Sequence, residues 1–146
     1  MTYTDPVQIV IAEDDDEDFE LTQQALARAR VNNVMTRTND GLDLLDCLRG
    51  EGRFAVKRPP GPVMVLLDLN MPRMDGRAAL KEIKADPALR HIPVVVLTTS
   101  SAEEDIVRSY DCGVSSFITK PVTFGGLVDA MIVLGRYWFE IVSIPR

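Results

Sequence analysis

The strongest constraint on the fold is the alternation of short apolar runs with helix-like segments along the whole chain. The runs are VQIVIA (7–12), VMTRT (34–38), VMVLLD (63–68), PVVVLT (93–98) and SFIT (116–119). The first, third and fourth are almost continuously apolar, which is typical of strands covered by helices on both faces. The second alternates and the fifth is short, so we expect these two strands at the edges of the sheet.

Five segments with apolar residues at helical spacing lie between and after these runs. Their apolar positions are Phe19, Leu21, Ala25 and Leu26; Leu44, Leu45 and Leu48; Leu80 and Ile83; Ile106 and Tyr110; and Leu127, Met131 and Leu134. We expect the second helix to stop at Gly50, the third before Pro87 and the fourth at Gly113. Repeated β–α alternation with right-handed crossovers predicts an α/β fold with a doubly wound parallel sheet.

Length and charge limit the classes of protein to consider. A chain of 146 residues fits one domain with a sizeable core. The formal net charge of −6 argues against nucleic-acid binding, which normally needs a basic face. The N-terminus lacks a secretory signal, and no uncharged apolar stretch reaches the roughly 18 residues of a membrane span. We therefore expect a cytoplasmic protein that binds neither nucleic acid nor membrane.

Polar side chains follow four of the predicted strands. The carboxyl ends of parallel strands share one edge of the sheet, and ligands bind at that edge. The residues there are Glu13, Asp14 and Asp15 after the first strand, Asp68 at the end of the third, Thr98 and Thr99 after the fourth, and Lys120 after the fifth. Clustered carboxylates without cysteine or histidine ligands favour a hard cation such as Mg²⁺.

Asp68 closes a buried apolar run, which suggests a chemical role. A carboxylate in this position can attack a phosphoryl group and form an aspartyl phosphate. Mg²⁺, the Lys120 ammonium and the Thr98 hydroxyl would stabilise the phosphoryl oxygens, and phosphoryl transfer depends mainly on such positioning and charge stabilisation. Each residue alone also fits a plain structural role: a helix cap, a surface lysine or a strand threonine. Their convergence on one edge favours the chemical role.

These motifs together resemble the receiver domains of two-component response regulators over essentially the whole chain. The motifs are the acidic pair Glu13-Asp14, LLDLNMPRMDG, VVVLTTS and SFITKP. The resemblance implies a flavodoxin-like, five-stranded sheet of order 2-1-3-4-5 with five helices. It also implies one receiver domain over residues 1–146, with no effector domain, that acts as a phosphoacceptor signalling protein and not as an enzyme.

The resemblance implies a role for each matching residue. Asp68 is the implied phosphoacceptor, and a sensor histidine kinase is the implied phosphodonor. The implied Mg²⁺ ligands are Glu13 through water, Asp14, Asp68 and the backbone carbonyl of Asn70. Thr98 and Lys120 match the phosphate-sensing hydroxyl and ammonium, Phe117 matches the switch aromatic, and the Lys120–Pro121 bond would be cis.

Two features depart from the common receiver pattern. Thr99 is bulkier than the small residue usual after the switch hydroxyl, which predicts slow loss of the phosphoryl group. The basic, Pro-rich loop at 49–62 is long for a connection, so we expect it outside the core, either as a partner contact or as a tolerated insertion. This loop, LTTSSAEEDI and the YWFEIV tail are similar to stand-alone receivers paired with phytochrome-type histidine kinases.

The last predicted helix carries more apolar residues than one core-facing stripe needs. One stripe holds Leu127, Met131, Leu134, Trp138 and Ile141, and the additional residues are Val128, Ile132, Phe139 and Val142. This surplus predicts a homodimer through the last helix and its tail at 135–146. The alternative is a long helix that folds back over its own core.

Two other functions compete with phosphoacceptor signalling. A phosphatase or phosphotransferase of the haloacid-dehalogenase type also uses an aspartate at a strand end with Mg²⁺. Those enzymes carry a second aspartate two residues later, and Asn70 occupies that position here. A receiver-like binding module that is never phosphorylated is the second alternative, and the intact acidic pair, Asp68, Thr98 and Lys120 argue against it.

Overall fold

Five parallel strands form the centre of the molecule. The computed structural model describes residues 7–31, 33–56, 63–68, 71, 73–98, 116–119 and 123–136, with the backbone alone at Thr98 and residues 116–119. The strands are β1 (Gln8–Ala12), β2 (Met35–Thr38), β3 (Val63–Asp68), β4 (Val94–Thr98) and β5 (Ser116–Thr119). They pair in parallel in the order β2-β1-β3-β4-β5, which confirms the expected topology and both edge strands.

Four α-helices occur in the described ranges. They are α1 (Asp16–Arg28), α2 (Gly41–Arg49), α3 (Gly76–Ala85) and α4 (Phe124–Gly135), and a short 3₁₀ helix spans Gly52–Phe54. None of the described helices is long and apolar enough to cross a membrane. The helix predicted around residues 101–113, the Lys120–Pro121 bond and the tail after residue 136 lie outside the described residues.

Each face of the sheet has its own apolar core. Val10 and Val65 point to the face covered by α2 and α3, whereas Ile9 and Met64 point to the face covered by α1 and α4. All four side chains are fully buried. Because successive side chains of a strand point to opposite faces, a strand covered on both sides must be apolar at every position. This requirement explains the continuous apolar runs of β1, β3 and β4.

Side-chain caps set where the helices begin. The residue before each helix accepts a hydrogen bond from a backbone N–H in the first turn, and these pairs are Asp15 with Asp18, Asp40 with Asp43, Asp75 with Ala78 and Thr123 with Gly126. Such a cap stabilises a helix by about 1 kcal/mol. Gly50 ends α2 in the left-handed conformation at φ 70°, as predicted.

The predicted apolar face of α1 is wrong at one position. Leu21 is 38% exposed, and the helix instead buries Thr22 together with Ala25 and Leu26. Neighbouring positions of a helix lie about 100° apart around its axis, so a partial rotation decides which of them faces the sheet, and in α1 the stripe through 22, 25 and 26 does so. The sequence pattern does not predict this orientation, because the polar Thr22 lies at the centre of the buried face.

The first part of the 49–62 loop also differs from the expectation. Phe54 is 5% exposed and joins the core on the α2 and α3 face, although we expected the loop to lie outside the core. The 3₁₀ turn at Gly52–Phe54 folds the chain back against α2, where Arg53 pairs with Asp43. The Phe54 ring is therefore covered by the core on the α2 and α3 face.

Candidate functional site

Three carboxylates meet at the carboxyl edge of the sheet. One carboxylate oxygen each from Glu13, Asp14 and Asp68 lies within 4.8 Å of the other two. The strand register explains the meeting, because Ala12 of β1 pairs with Leu67 of β3 and the acidic residues follow directly. Glu13 is buried, Asp68 is half-buried and Asp14 is exposed, so the cluster lies at the surface with one side covered.

Hydrogen bonds in and beside the loop between β1 and α1 hold the buried Glu13 in place. The backbone N–H of Asp15 donates to the Glu13 carboxylate at 3.3 Å, and the backbone N–H of Glu13 donates to the carbonyl of Thr38 at 3.0 Å. Asp15 caps α1, whose first turn contains three further acids. The positive end of the helix dipole stabilises these charges, so much of the acidic run has a structural role.

The loop after Asp68 is attached to the start of α2. The backbone N–H of Gly41 donates to the carbonyl of Met74 at 2.8 Å, and Arg73 donates to the Asp40 carboxylate at 2.6 Å. Asp40 is 4% exposed, so its charge needs this partner. Arg73 adopts a φ of 61°, in the left-handed region that favours glycine. The ion pair stabilises a loop conformation that is otherwise unfavourable for an arginine.

A second ion pair connects α2 with the 3₁₀ turn. Arg53 contacts both carboxylate oxygens of Asp43, at 2.9 Å and 2.6 Å. The hydrogen bond from Arg53 lowers the pKa of Asp43, and burial of the carboxylate opposes this effect without cancelling it. The same hydrogen bond raises the pKa of Arg53. Planar, two-point contacts of this kind hold both partners in one geometry.

The structure describes only part of the predicted site. It brings Glu13, Asp14 and Asp68 together, and it places the backbone of Thr98 beside that of Thr119 at the ends of β4 and β5. The side chains of Thr98 and Phe117, and all of Asn70, Thr99 and Lys120, lie outside the described residues.

Sequence reasoning missed the charged residues that support the site loops. These are Arg37, Asp40, Asp43, Arg53 and Arg73, and all five make ion pairs. An arginine in a sequence looks like a solvated charge, and its partner can be many residues away. Asp40 did carry a local signal, because aspartate followed by glycine at the start of an apolar helix is typical of a cap.

The three carboxylates fit a divalent cation. Their oxygens are close enough to share one ion, and like charges at this separation repel unless a cation neutralises them. A set of oxygen ligands alone suits hard ions such as Mg²⁺ or Mn²⁺ better than soft ones. The chemistry of the donors therefore fits a hard divalent cation.

Comparison with known families decides where this chain belongs. The model for the response regulator receiver domain matches residues 9–132, which is most of the chain. The chain belongs to the response regulator receiver domain family. Receiver domains are signalling proteins that bind a divalent cation, and the acidic cluster of this receiver occupies the corresponding edge of the sheet.

The receiver is similar in sequence and structure to several response regulators. It is 36% identical over 140 residues to response regulator Rcp1 of Synechocystis sp., covering 96% of this chain and 94% of that protein. The crystal structure of the phosphorylated cyanobacterial phytochrome response regulator RcpA superposes with a TM-score of 0.86 at 40% identity, covering 95% of this chain and 98% of that one. The Mn²⁺-bound form of Rcp1 superposes with a TM-score of 0.85 at 36% identity, over 97% and 100%.

Proposed function

We propose that this receiver accepts a phosphoryl group on Asp68 from a sensor histidine kinase, in a reaction that requires Mg²⁺. One observation carries the proposal: Asp68 lies with Glu13 and Asp14 in a cluster of carboxylates at the edge where a parallel sheet binds ligands. A half-buried aspartate there is open to a phosphodonor from solvent and sits beside the acidic pair that would hold the cation.

The metal would be held by the acidic cluster. Asp14 and Asp68 supply direct oxygens in this proposal, Glu13 acts through a water molecule, and the backbone carbonyl of Asn70 completes the protein ligands. When bound, Mg²⁺ neutralises the carboxylates and the charge on the phosphoryl oxygens. Glu13 is the buried member, so its charge has the greatest need of a nearby cation.

The transfer step makes Asp68 the nucleophile. One carboxylate oxygen of Asp68 forms a bond to phosphorus while the bond between phosphorus and the imidazole nitrogen of the kinase breaks. The electron pair of that bond leaves with the imidazole, and the product on Asp68 is an acyl phosphate. Lys120 and Thr98 donate to the phosphoryl oxygens in this proposal, and they require no covalent chemistry of their own.

The phosphorylated state would change a protein-binding surface. A phosphoryl oxygen offers a new acceptor to the Thr98 hydroxyl, and movement of that residue leaves space for Phe117 to turn inward. Thr98 ends β4, and Phe117 lies on the adjacent edge strand β5. In this proposal, a change at Asp68 on β3 reaches the edge strand β5 through β4, which pairs with both strands.

We further propose that the kinase is a bacterial phytochrome and that the reaction takes place in the cytoplasm. The support is the similarity to RcpA, which is described as the response regulator of a cyanobacterial phytochrome. Rcp1 matches this chain over almost its whole length, so we propose that residues 1–146 form one receiver domain.

The proposed oligomer is a homodimer through the last helix and its tail. In α4 the buried residues are Leu127, Met131 and Leu134, as predicted. Ile132 and Val133 are 36% and 67% exposed, respectively, so part of the apolar surplus lies on the surface. Apolar side chains exposed together on one helix favour burial against a partner, and a second copy would present the same surface.

The test is phosphotransfer from a radiolabelled bacterial phytochrome kinase to this receiver. We expect the label to move to the wild-type receiver only in the presence of Mg²⁺, and not to Asp68→Asn. Glu17→Gln is the matched control, because Glu17 is an exposed acid near the cluster that is outside the proposed ligand set. Transfer to Asp68→Asn at the wild-type rate would contradict the proposal.

The same experiment distinguishes the alternative function, a binding module that is never phosphorylated. Such a module would bind the kinase without accepting label, with or without Mg²⁺. The haloacid-dehalogenase alternative is set aside, because the chain belongs to the receiver family.

A further inference from the structure

We propose that Arg37 is a positioning residue that orders the loop between β1 and α1 and thereby strengthens the binding of the divalent cation. The inference rests on the proposed metal site at Glu13, Asp14 and Asp68. Arg37 is outside this ligand set, whose residues follow β1 or end β3. Arg37 belongs to β2, where it pairs with Ile11 of β1.

One guanidinium contacts three successive parts of the loop. Its Nε donates to the carbonyl of Glu13 at 3.1 Å, and one terminal nitrogen donates to the carbonyl of Asp14 at 3.2 Å. The other terminal nitrogen lies 2.7 Å from the carboxylate of Asp16. The planar group therefore fixes the backbone of both acidic ligand residues and the first turn of α1 at the same time.

The guanidinium is itself held in place by its neighbours. It lies over the ring of Phe19 at 4.7 Å from the centroid, and the Arg37 side chain is only 24% exposed. The carbonyl of Arg37 accepts a hydrogen bond from Arg53 at 3.0 Å. None of these contacts involves the cation, so they order the loop by themselves and reduce the entropic cost of assembling the ligand residues on binding.

Two effects of Arg37 on the cation have opposite signs. Its positive charge repels a divalent ion, whereas its hydrogen bonds hold the ligand loop in a binding geometry. The charge is offset by the Asp16 carboxylate, which lies 2.7 Å from the guanidinium. The hydrogen bonds act directly on the two ligand residues, so we expect the ordering effect to dominate.

The experiment measures Mg²⁺ affinity by isothermal titration calorimetry on the full chain. We expect Arg37→Gln to weaken Mg²⁺ binding about tenfold, the lower end of the range for residues that orient metal ligands. Arg37→Lys keeps the positive charge but loses the planar guanidinium with its several donors, so we expect this variant to weaken Mg²⁺ binding as well. Unchanged or tighter binding by Arg37→Gln overturns the proposal, since tighter binding means that charge repulsion dominates.

Arg28→Gln is the matched control. The Arg28 guanidinium also lies over an aromatic ring, at 5.9 Å from the centroid of Phe124, but on the α1 and α4 side away from the acidic loop. We expect this variant to bind Mg²⁺ with the wild-type affinity. A loss in Arg28→Gln equal to that in Arg37→Gln would show a general effect of removing a stacked arginine, and would overturn the specific role.

Hydrogen exchange in metal-free protein separates ordering from general destabilisation. We expect faster exchange of the amides of residues 13–16 in Arg37→Gln, with unchanged exchange in β3. Faster exchange throughout the sheet would show a merely structural role and overturn the proposal. Wild-type protein that binds no Mg²⁺ overturns it as well. Wild-type protein that binds Mg²⁺ but accepts no phosphoryl group contradicts only the proposed function.

Discussion

Single charged side chains hold the loops beside the acidic cluster. Asp40 and Asp43 start α2, and each pairs with an arginine from a different loop. Both carboxylates are nearly covered, at 4% and 9% exposure. A covered charge is stable only while its partner stays, so these pairs restrict the loops more strongly than exposed ion pairs do.

The Asp43–Arg53 pair makes stability depend on pH in a defined direction. Arg53 holds the pKa of Asp43 below its ordinary value of 3.8. The ionised carboxylate therefore stabilises the fold at pH values above 3.8, and this contribution is lost as the pH falls through that value toward the lower pKa of the folded state.

We predict that Asp43→Asn lowers the free energy of unfolding by about 1 kcal/mol near pH 7. This value is below the roughly 1.5–3 kcal/mol of a hydrogen bond to a charged group, because the half-exposed Arg53 is screened by water. The difference from wild type should shrink as the pH approaches 3, and urea unfolding at both pH values measures it. A difference that stays constant or grows toward low pH would refute this account.

At the scale of elements, the contact between α2 and the loop after Asp68 leaves no room for a side chain at Gly41. A Cβ built at Gly41 would lie 2.5 Å from the carbonyl oxygen of Met74. The same carbonyl accepts the hydrogen bond from the Gly41 N–H. Helix and loop must therefore move apart if this glycine is replaced, and the loop begins only a few residues after Asp68.

We predict that Gly41→Ala destabilises the fold by about 1–3 kcal/mol, the usual cost of forcing extra atoms into a packed contact. Gly125→Ala on α4 is the control, because a Cβ there has no neighbour within 4 Å. Alanine is the better helix former, so Gly125→Ala should be neutral or stabilising by up to about 1 kcal/mol. Equal destabilisation by both variants in urea would contradict the close-contact explanation.

The sequence predicted the strands and the acidic cluster because both follow from local pattern and topology. Continuous apolar runs mark covered strands, and parallel strands bring their carboxyl ends to one edge, so Asp68 and the acidic pair were predicted to meet. The face of α1 and the place of Phe54 depend on small rotations and on a non-local ion pair. The contacts of Arg37, Arg53 and Arg73 join residues on separate elements, and no periodicity reports them.

At the scale of the whole molecule, the acidic cluster lies at the carboxyl edge of the sheet, whereas the proposed dimer surface lies on α4, which covers one face of the sheet. Val133 is the most exposed apolar residue in that helix, at 67%. A charge at its position would be buried in a dimer and solvated in a monomer. We therefore expect a charged substitution at Val133 to oppose the proposed dimer.

We predict a dimer mass for the wild-type protein at micromolar concentration by light scattering, and a monomer mass for Val133→Glu. Val56→Glu is the matched control, because Val56 is 93% exposed and lies in the loop after the 3₁₀ turn. It should leave the dimer intact. A wild-type monomer mass, or equal loss of the dimer in both variants, would contradict the proposed interface.

The most direct test of the central claim is the intact mass of the protein after incubation with acetyl phosphate, with and without Mg²⁺. Acetyl phosphate needs no kinase, so the result depends only on this chain. We predict the addition of one phosphoryl group to the wild-type protein, only when Mg²⁺ is present, and no addition to Asp68→Asn. A phosphoryl group that persists in Asp68→Asn, or that forms equally well without a divalent cation, would contradict the account.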